Sequence, residues 1–151
     1  MGRFVTFGEV MFRFNPEGYL RIVQATKFEA SLAGGEANVA VSLANYGLDT
    51  AFVTKVPAHE VGNCVVNEMR RYGVDTSRIL RGGARLGIYF FEKGSDIRPT
   101  SVLYDRAGSA LAEADADEFN WEALLSGIDI FFFSGVTPAI SPSVEQAVLG
   151  A

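Results

Sequence analysis

A chain of 151 residues that is 48% hydrophobic and 21% charged has the length and apolar content to bury one sizeable core. Its formal charge of -5 is spread over interspersed acids and bases, and the absence of any Lys/Arg run able to neutralise successive phosphates argues against a nucleic-acid partner. The single cysteine, Cys64, and single histidine, His59, supply neither an internal disulfide nor the ligand spacing of a zinc site.

The apolar N-terminus is interrupted by Glu9 and Arg13, well short of a spanning helix or a signal-peptide core. No membrane association is expected, and a reducing cytoplasm is the expected compartment. Residues 3–8 form a short apolar run suited to a buried strand, and residues 10–14 then alternate Val10, Phe12 and Phe14 against Met11 and Arg13, as a half-exposed strand does. Asn15, Pro16, Glu17 and Gly18 form a turn cluster, after which residues 20–23 and 26–32 are expected to return as strands with an exposed face.

From Glu36 the period becomes helical, with Ala37, Ala40, Val41 and Ala44 on one narrow face and Gly47 as the C-terminal cap. Residues 50–56 read as a buried strand, and Val61, Val65, Met69 and Tyr72 are spaced for one face of an amphipathic helix. Residues 85–106 read as two alternating strands joined by Lys93, Gly94, Ser95 and Asp96, an exposed hairpin. Trp121 fits a short helix packed on the domain. Residues 129–134, with Ile130, Phe131, Phe132 and Phe133 at their centre, are expected as another buried strand, and a helix over 142–149 follows Ser141 as its N-cap. The alternation of strand and helix predicts an α/β domain with a mainly parallel sheet.

Chemistry is concentrated in two places. In Ala33-Gly34-Gly35-Glu36-Ala37-Asn38, paired glycines lead into a helix, where they let a ligand approach the backbone and the opening turn offers free N–H groups to a carboxylate or hydroxyl-rich ligand. Taken locally, a tight strand-to-helix turn explains the same residues and is the commoner case. In the hairpin, strand period 2 puts Tyr104 and Arg106 on one face while Leu103 and Asp105 point the other way, and Tyr89 alternates likewise against Ile88 and Phe90. Two phenols and a guanidinium on one cleft suit a hydroxylated carboxylate, and an ordinary solvated strand face is the plain alternative.

The segments Gly-Gly-Glu-Ala-Asn-Val-Ala from Gly34, Arg-Leu-Gly-Ile-Tyr-Phe from Arg85, Tyr-Asp-Arg-Ala-Gly-Ser-Ala from Tyr104 and Phe-Ser-Gly-Val-Thr-Pro-Ala from Phe133 occur in that order. In this the chain resembles the ribokinase-like carbohydrate kinases, and among them the 2-keto-3-deoxygluconate kinase branch, from Gly8 to about Ser141. The resemblance implies a ribokinase-like α/β fold, a mainly parallel sheet flanked by helices with a small β-sheet lid formed by about residues 10–33 and 85–106. It implies that Gly34, Gly35 and Asn38 line the sugar site and that Tyr89, Tyr104 and Arg106 contact a keto-deoxy sugar acid, with Arg106 accounting for preference for an acid over a neutral sugar. Glu36 and Ala37 lie in the same segment but are weaker candidates, and Glu9, a lone carboxylate after the first strand, is left outside the expected site. The lid implies a homo-oligomer contact.

The family's Gly-Ala-Gly-Asp segment, whose aspartate takes the acceptor proton, does not occur in these 151 residues, nor does a Walker-type glycine loop ending in Lys-Ser/Thr. Residues 1–151 are therefore expected to be the N-terminal part of one such domain, truncated before its nucleotide-binding part, with no catalytic residue in this chain and no metal site. The complete enzyme is expected to phosphorylate 2-keto-3-deoxygluconate with ATP and Mg2+, and the 151-residue chain alone to be inactive. The alternatives are a non-catalytic sugar-acid-binding or dimerisation module, an inactive fragment, or a kinase of fructose or another sugar.

Overall fold

The computed structural model describes residues 2–151. In chain order the strands are β1 (Arg3–Phe7), β2 (Met11–Pro16), β3 (Phe28–Ala33), β4 (Asp49–Val56), β5 (Ile79–Arg81), β6 (Ile88–Glu92), β7 (Ser101–Asp105) and β8 (Ile130–Phe132). The helices are α1 (Gly35–Asn45), α2 (Glu60–Arg71), α3 (Trp121–Leu124) and α4 (Pro142–Leu149).

Strands β5, β4, β1 and β8 form, in that order, a four-stranded sheet in which every pairing is parallel. Its central strands are apolar on both faces because both faces are covered. Along β4, Phe52 and Val56 join Val10, Ala40, Val65 and Met69 on the side of α1 and α2. Ala51 and Val53 point the other way, into a second core with Phe7, Leu111, Trp121 and Val144. Trp121 opens α3, stacks on Phe119 at 5.5 Å and meets Phe7 edge-on at 5.1 Å, so its part is packing, as the sequence suggested. His59 is likewise structural, capping α2 by accepting the Val61 N–H at 3.3 Å.

The second sheet has the order β3-β2-β6-β7 and is mixed: β2 runs parallel to β6 and antiparallel to β3, and β6 and β7 form the expected hairpin. Phe14, Phe28 and Phe90 hold one of its faces together, with ring centroids 5.7 Å apart.

Four expectations are corrected. Residues 20–23 are not a strand: Ile22–Gln24 make a 3-10 turn, in which the Gln24 amide donates to the Arg21 carbonyl at 2.9 Å and the Gln24 side chain accepts the Arg21 N–H at 3.0 Å. Val23 is 89% exposed, so this segment has no sheet face to bury and local bonds decide its shape. The turn cluster also starts later than expected, since β2 runs through Asn15 and Pro16 to pair with Phe28. The apolar run 130–133 is a strand but not a buried one. Among the described residues strand β8 lies at the sheet edge beside β1, with Ile130, Phe132 and Phe133 exposed, while Phe131 packs on Trp121 at 5.3 Å. Helix α2 is also turned slightly from the expected stripe: Gly62, Val65, Val66 and Met69 are buried, with Val61 and Tyr72 at the margins.

Among the described residues no helix is long and apolar enough to cross a membrane.

Candidate functional site

Parallel sheets leave their ligand crevices beyond the carboxyl ends of the strands, and here four chain segments meet at that edge. They are the β1–β2 connection at Glu9, the start of α1 at Gly34 and Gly35, the end of the hairpin at Tyr104 and Arg106, and the segment after β8 from Ser134 to Ile140. Together they line a cavity of about 170 Å³.

Two buried carboxylates organise its walls. Glu36, 3% exposed, accepts the Ser134 N–H at 3.0 Å, with the Thr137 hydroxyl also 3.0 Å away, while its carbonyl accepts the Thr6 hydroxyl at 3.0 Å. It thus ties the first turn of α1 to the segment after β8. Glu9, 5% exposed, forms an ion pair with Arg106 Nη2 and accepts the Ser109 hydroxyl. A buried carboxylate without partners is costly, and each of these has two. Neither was assigned to the site by sequence reasoning, although the position of Glu9 immediately after β1 was the available signal.

The glycines make room for these groups. A Cβ at Gly8 would collide with the Glu36 carboxylate, and one at Gly34 would collide with the Glu9 carbonyl and lie 3.0 Å from Val10 Cα. Backbone φ at Gly34 is -170°, an extended value open to any residue, so the requirement there is space. Gly35 differs: nothing lies within 4 Å of the position its Cβ would take, so its missing side chain leaves the cavity open.

Arg106 follows β7 and is oriented from both sides. Its guanidinium sits 5.9 Å from the centre of the Tyr104 ring, and its side chain is 27% exposed. On the opposite face Arg85 clamps the chain, donating from Nη1 to Asp105 Oδ1 at 2.9 Å and from Nη2 to the Asp105 carbonyl at 3.0 Å. The hydrogen bond from Arg85 holds the Asp105 carboxyl below its ordinary value, against a smaller opposing effect of desolvation, and the same bond raises Arg85.

Of the residues expected at the site, Gly34, Gly35, Tyr104 and Arg106 line this one cavity. Tyr89 is beside them, opposite Tyr104 in the β6–β7 register with ring centroids 5.4 Å apart. Asn38 does not join them. It is exposed one turn into α1 and lines a separate, open cavity of about 590 Å³ with Arg13, Ser31 and residues of α2.

A parallel sheet carrying a projecting β-sheet, with a cavity between them at the carboxyl edge, defines a ribokinase-like fold. The chain belongs to the pfkB family of carbohydrate kinases, whose profile matches residues 1–150. It is 38% identical over 142 residues to a 2-dehydro-3-deoxygalactonokinase of Haloferax volcanii, covering 94% of this chain and 44% of that protein. Identity to a 5-dehydro-2-deoxygluconokinase of Clostridium beijerinckii is 34% over 147 residues, covering 95% of this chain and 43% of that protein. The crystal structure of 2-dehydro-3-deoxygluconokinase from Thermotoga maritima matches with a TM-score of 0.96 and 44% identity, covering 100% of this chain and 46% of that one. The chain thus spans less than half the length of the relatives it matches.

Kinases of this family imply ATP and magnesium. No group of three or more His, Cys, Asp or Glu side chains among them is placed to hold a metal ion. The one cation lining the cavity, Arg106, is already paired with Glu9.

Proposed function

We propose that the full-length protein phosphorylates a 2-keto-3-deoxy sugar acid, 2-keto-3-deoxygluconate in the first place, at its terminal hydroxyl with ATP and magnesium in the cytoplasm. In this reading residues 1–151 supply the acceptor-binding part of one domain, and the sheet of β3, β2, β6 and β7 is the lid over it, covering about residues 10–33 and 85–106. The nucleotide is held by residues outside this set.

The observation that carries the reading is the partly open Arg106 guanidinium at the mouth of the Gly35–Tyr104 cavity. A planar guanidinium suits a carboxylate through charge-assisted hydrogen bonds, and Tyr104 and Tyr89 add hydroxyls at the same end of the hairpin. The three similar kinases above are each named for a dehydro-deoxy sugar acid, which agrees with an acid-reading arginine. Asn38, which the family resemblance places at the sugar, lines the neighbouring cavity one turn along α1 from Gly34.

The test is a substrate panel on the full-length protein with ATP and magnesium, comparing 2-keto-3-deoxygluconate, 2-keto-3-deoxygalactonate, 5-keto-2-deoxygluconate and fructose. The reading expects a keto-deoxy acid to have the highest kcat/KM, and fructose turned over as well as the best acid would overturn it. Lid-to-lid pairing of two copies is the accompanying proposal, supported by Leu103, 54% exposed on edge strand β7. Leu103→Asp should convert a dimer to a monomer in size-exclusion chromatography with light scattering, and an unchanged mass would contradict it.

A further inference from the structure

We infer that Glu9 is a positioning residue for Arg106, fixing the orientation in which the guanidinium meets an acid substrate. The inference rests on the acceptor reading of the cavity given above.

Glu9 lies in the β1–β2 connection between the two sheets and Arg106 follows β7, so their ion pair ties that connection to the end of the second sheet. The two partners differ in freedom. Glu9 is almost fully buried and is held at several points. Its Oε1 accepts the hydroxyl of Ser109, which is itself 1% exposed and accepts the Ala112 N–H at 3.2 Å. Its carbonyl fills the space left by Gly34, and its carboxylate fills the space beside Gly87, where an added Cβ would lie 2.9 Å from Oε1. Arg106 has a long side chain with several free torsions and is partly open to solvent.

Among the described residues Glu9 is the only anion paired with Arg106, and Arg106 Nε finds no acceptor there. The Tyr104 ring at 5.9 Å restrains the guanidinium plane without fixing its rotation. Glu9 Oε2 lies against Nη2 as an ion pair without an aligned hydrogen bond, and as the one anion beside the guanidinium it places Nη2 and leaves the remaining N–H groups for a ligand. Because Glu9 also neutralises Arg106, the grip on an acid depends on placed hydrogen bonds more than on long-range attraction, which makes placement the limiting quantity.

The experiment is steady-state kinetics on the full-length protein with 2-keto-3-deoxygluconate and ATP, for Glu9→Ala, Glu9→Gln, Arg106→Ala and the double variant Glu9→Ala/Arg106→Ala. Glu9→Ala should raise the KM for the sugar acid about tenfold with the KM for ATP unchanged. Glu9→Gln, which keeps the shape and can still accept from Arg106, should recover most of that loss. In the Arg106→Ala background, Glu9→Ala should add nothing. Should Glu9→Ala fail to fold, Glu9→Asp, which withdraws the carboxylate by one methylene, takes its place with the same expectation.

An unchanged sugar-acid KM in Glu9→Ala beside an impaired Arg106→Ala would overturn the role of Glu9 and leave the acceptor reading standing. A lowered KM would overturn it too, because it would mean that Glu9 competes with the substrate for the arginine. Equal losses in both backgrounds would show an effect that does not pass through Arg106. An Arg106→Ala variant with unchanged sugar-acid KM would overturn both the acceptor reading and this one.

Discussion

Tyr89 and Tyr104 stand directly opposite each other on the β6–β7 hairpin, with ring centroids 5.4 Å apart and planes inclined by 36°. The pair brings two phenol groups to the end of the hairpin that carries Arg106. If these hydroxyls contact the sugar acid, Tyr104→Phe and Tyr89→Phe should each raise its KM about three- to tenfold, the loss expected for one neutral hydrogen bond. Thermal stability should be nearly unchanged, because the ring contact survives. Kinetics for the two variants beside a thermal melt decides the matter: a drop in melting temperature with no change in KM would make the pair purely structural.

Gly34 and Gly35 are adjacent in sequence and opposite in their requirements. Gly34→Ala drives a methyl group into the Glu9 carbonyl, and overpacking of this kind costs about 1 to 3 kcal/mol. Gly35→Ala meets nothing within 4 Å and sits at the first position of α1, where alanine is tolerated, so its stability should match the parent within about 0.5 kcal/mol. Since Gly35 lines the cavity, its alanine variant should bind the sugar acid more weakly while remaining fully folded. Urea unfolding and calorimetric titration of both variants test the pair; equal stability for the two would contradict the steric account of Gly34.

Lys55 and Glu118 form an ion pair that fastens β4 to the segment before α3. The hydrogen bond from Lys55 holds the Glu118 carboxyl below its ordinary value of 4.5, against a smaller opposing effect of desolvation. A carboxylate whose value is depressed in the folded state contributes stability above its unfolded value, and that contribution is lost as pH falls through the folded value. Lys55→Met should therefore be less stable than the parent near neutral pH, by about 1 kcal/mol or less because Glu118 is partly exposed. The difference should narrow as pH falls below 4.5. Urea denaturation across that range measures it, and a gap that widens towards acid would have the wrong sign.

Elements whose burial is decided by their own pattern were legible in the sequence. β1 and β4 read as apolar runs, α2 as a 3.6-residue stripe and the hairpin as alternation, and each is present. The exceptions are segments whose fate depends on a neighbour. Residues 20–23 have strand-like composition but no sheet to join, and the apolar run of β8 lies at an edge of the described sheet where Ile130, Phe132 and Phe133 stay exposed. The site divides along the same line. Tyr104 and Arg106 share a face by strand period alone, whereas Glu9 and Glu36 acquire meaning only through partners 100 and 101 residues away, Ser109 and Thr137. Asn38, expected at the sugar from motif similarity, lines the neighbouring cavity one turn along α1 from Gly34.

The claim on which the rest depends is that Arg106 reads the carboxylate of the substrate. Its most direct measurement is the KM of full-length Arg106→Ala for 2-keto-3-deoxygluconate and for ATP, each determined with the other saturating. Loss of a charge-assisted contact is worth about 1.5 to 3 kcal/mol, or roughly ten- to a hundredfold in affinity. The account predicts a rise of that size in the KM for the sugar acid with the KM for ATP unchanged; a sugar-acid KM equal to that of the parent would contradict it.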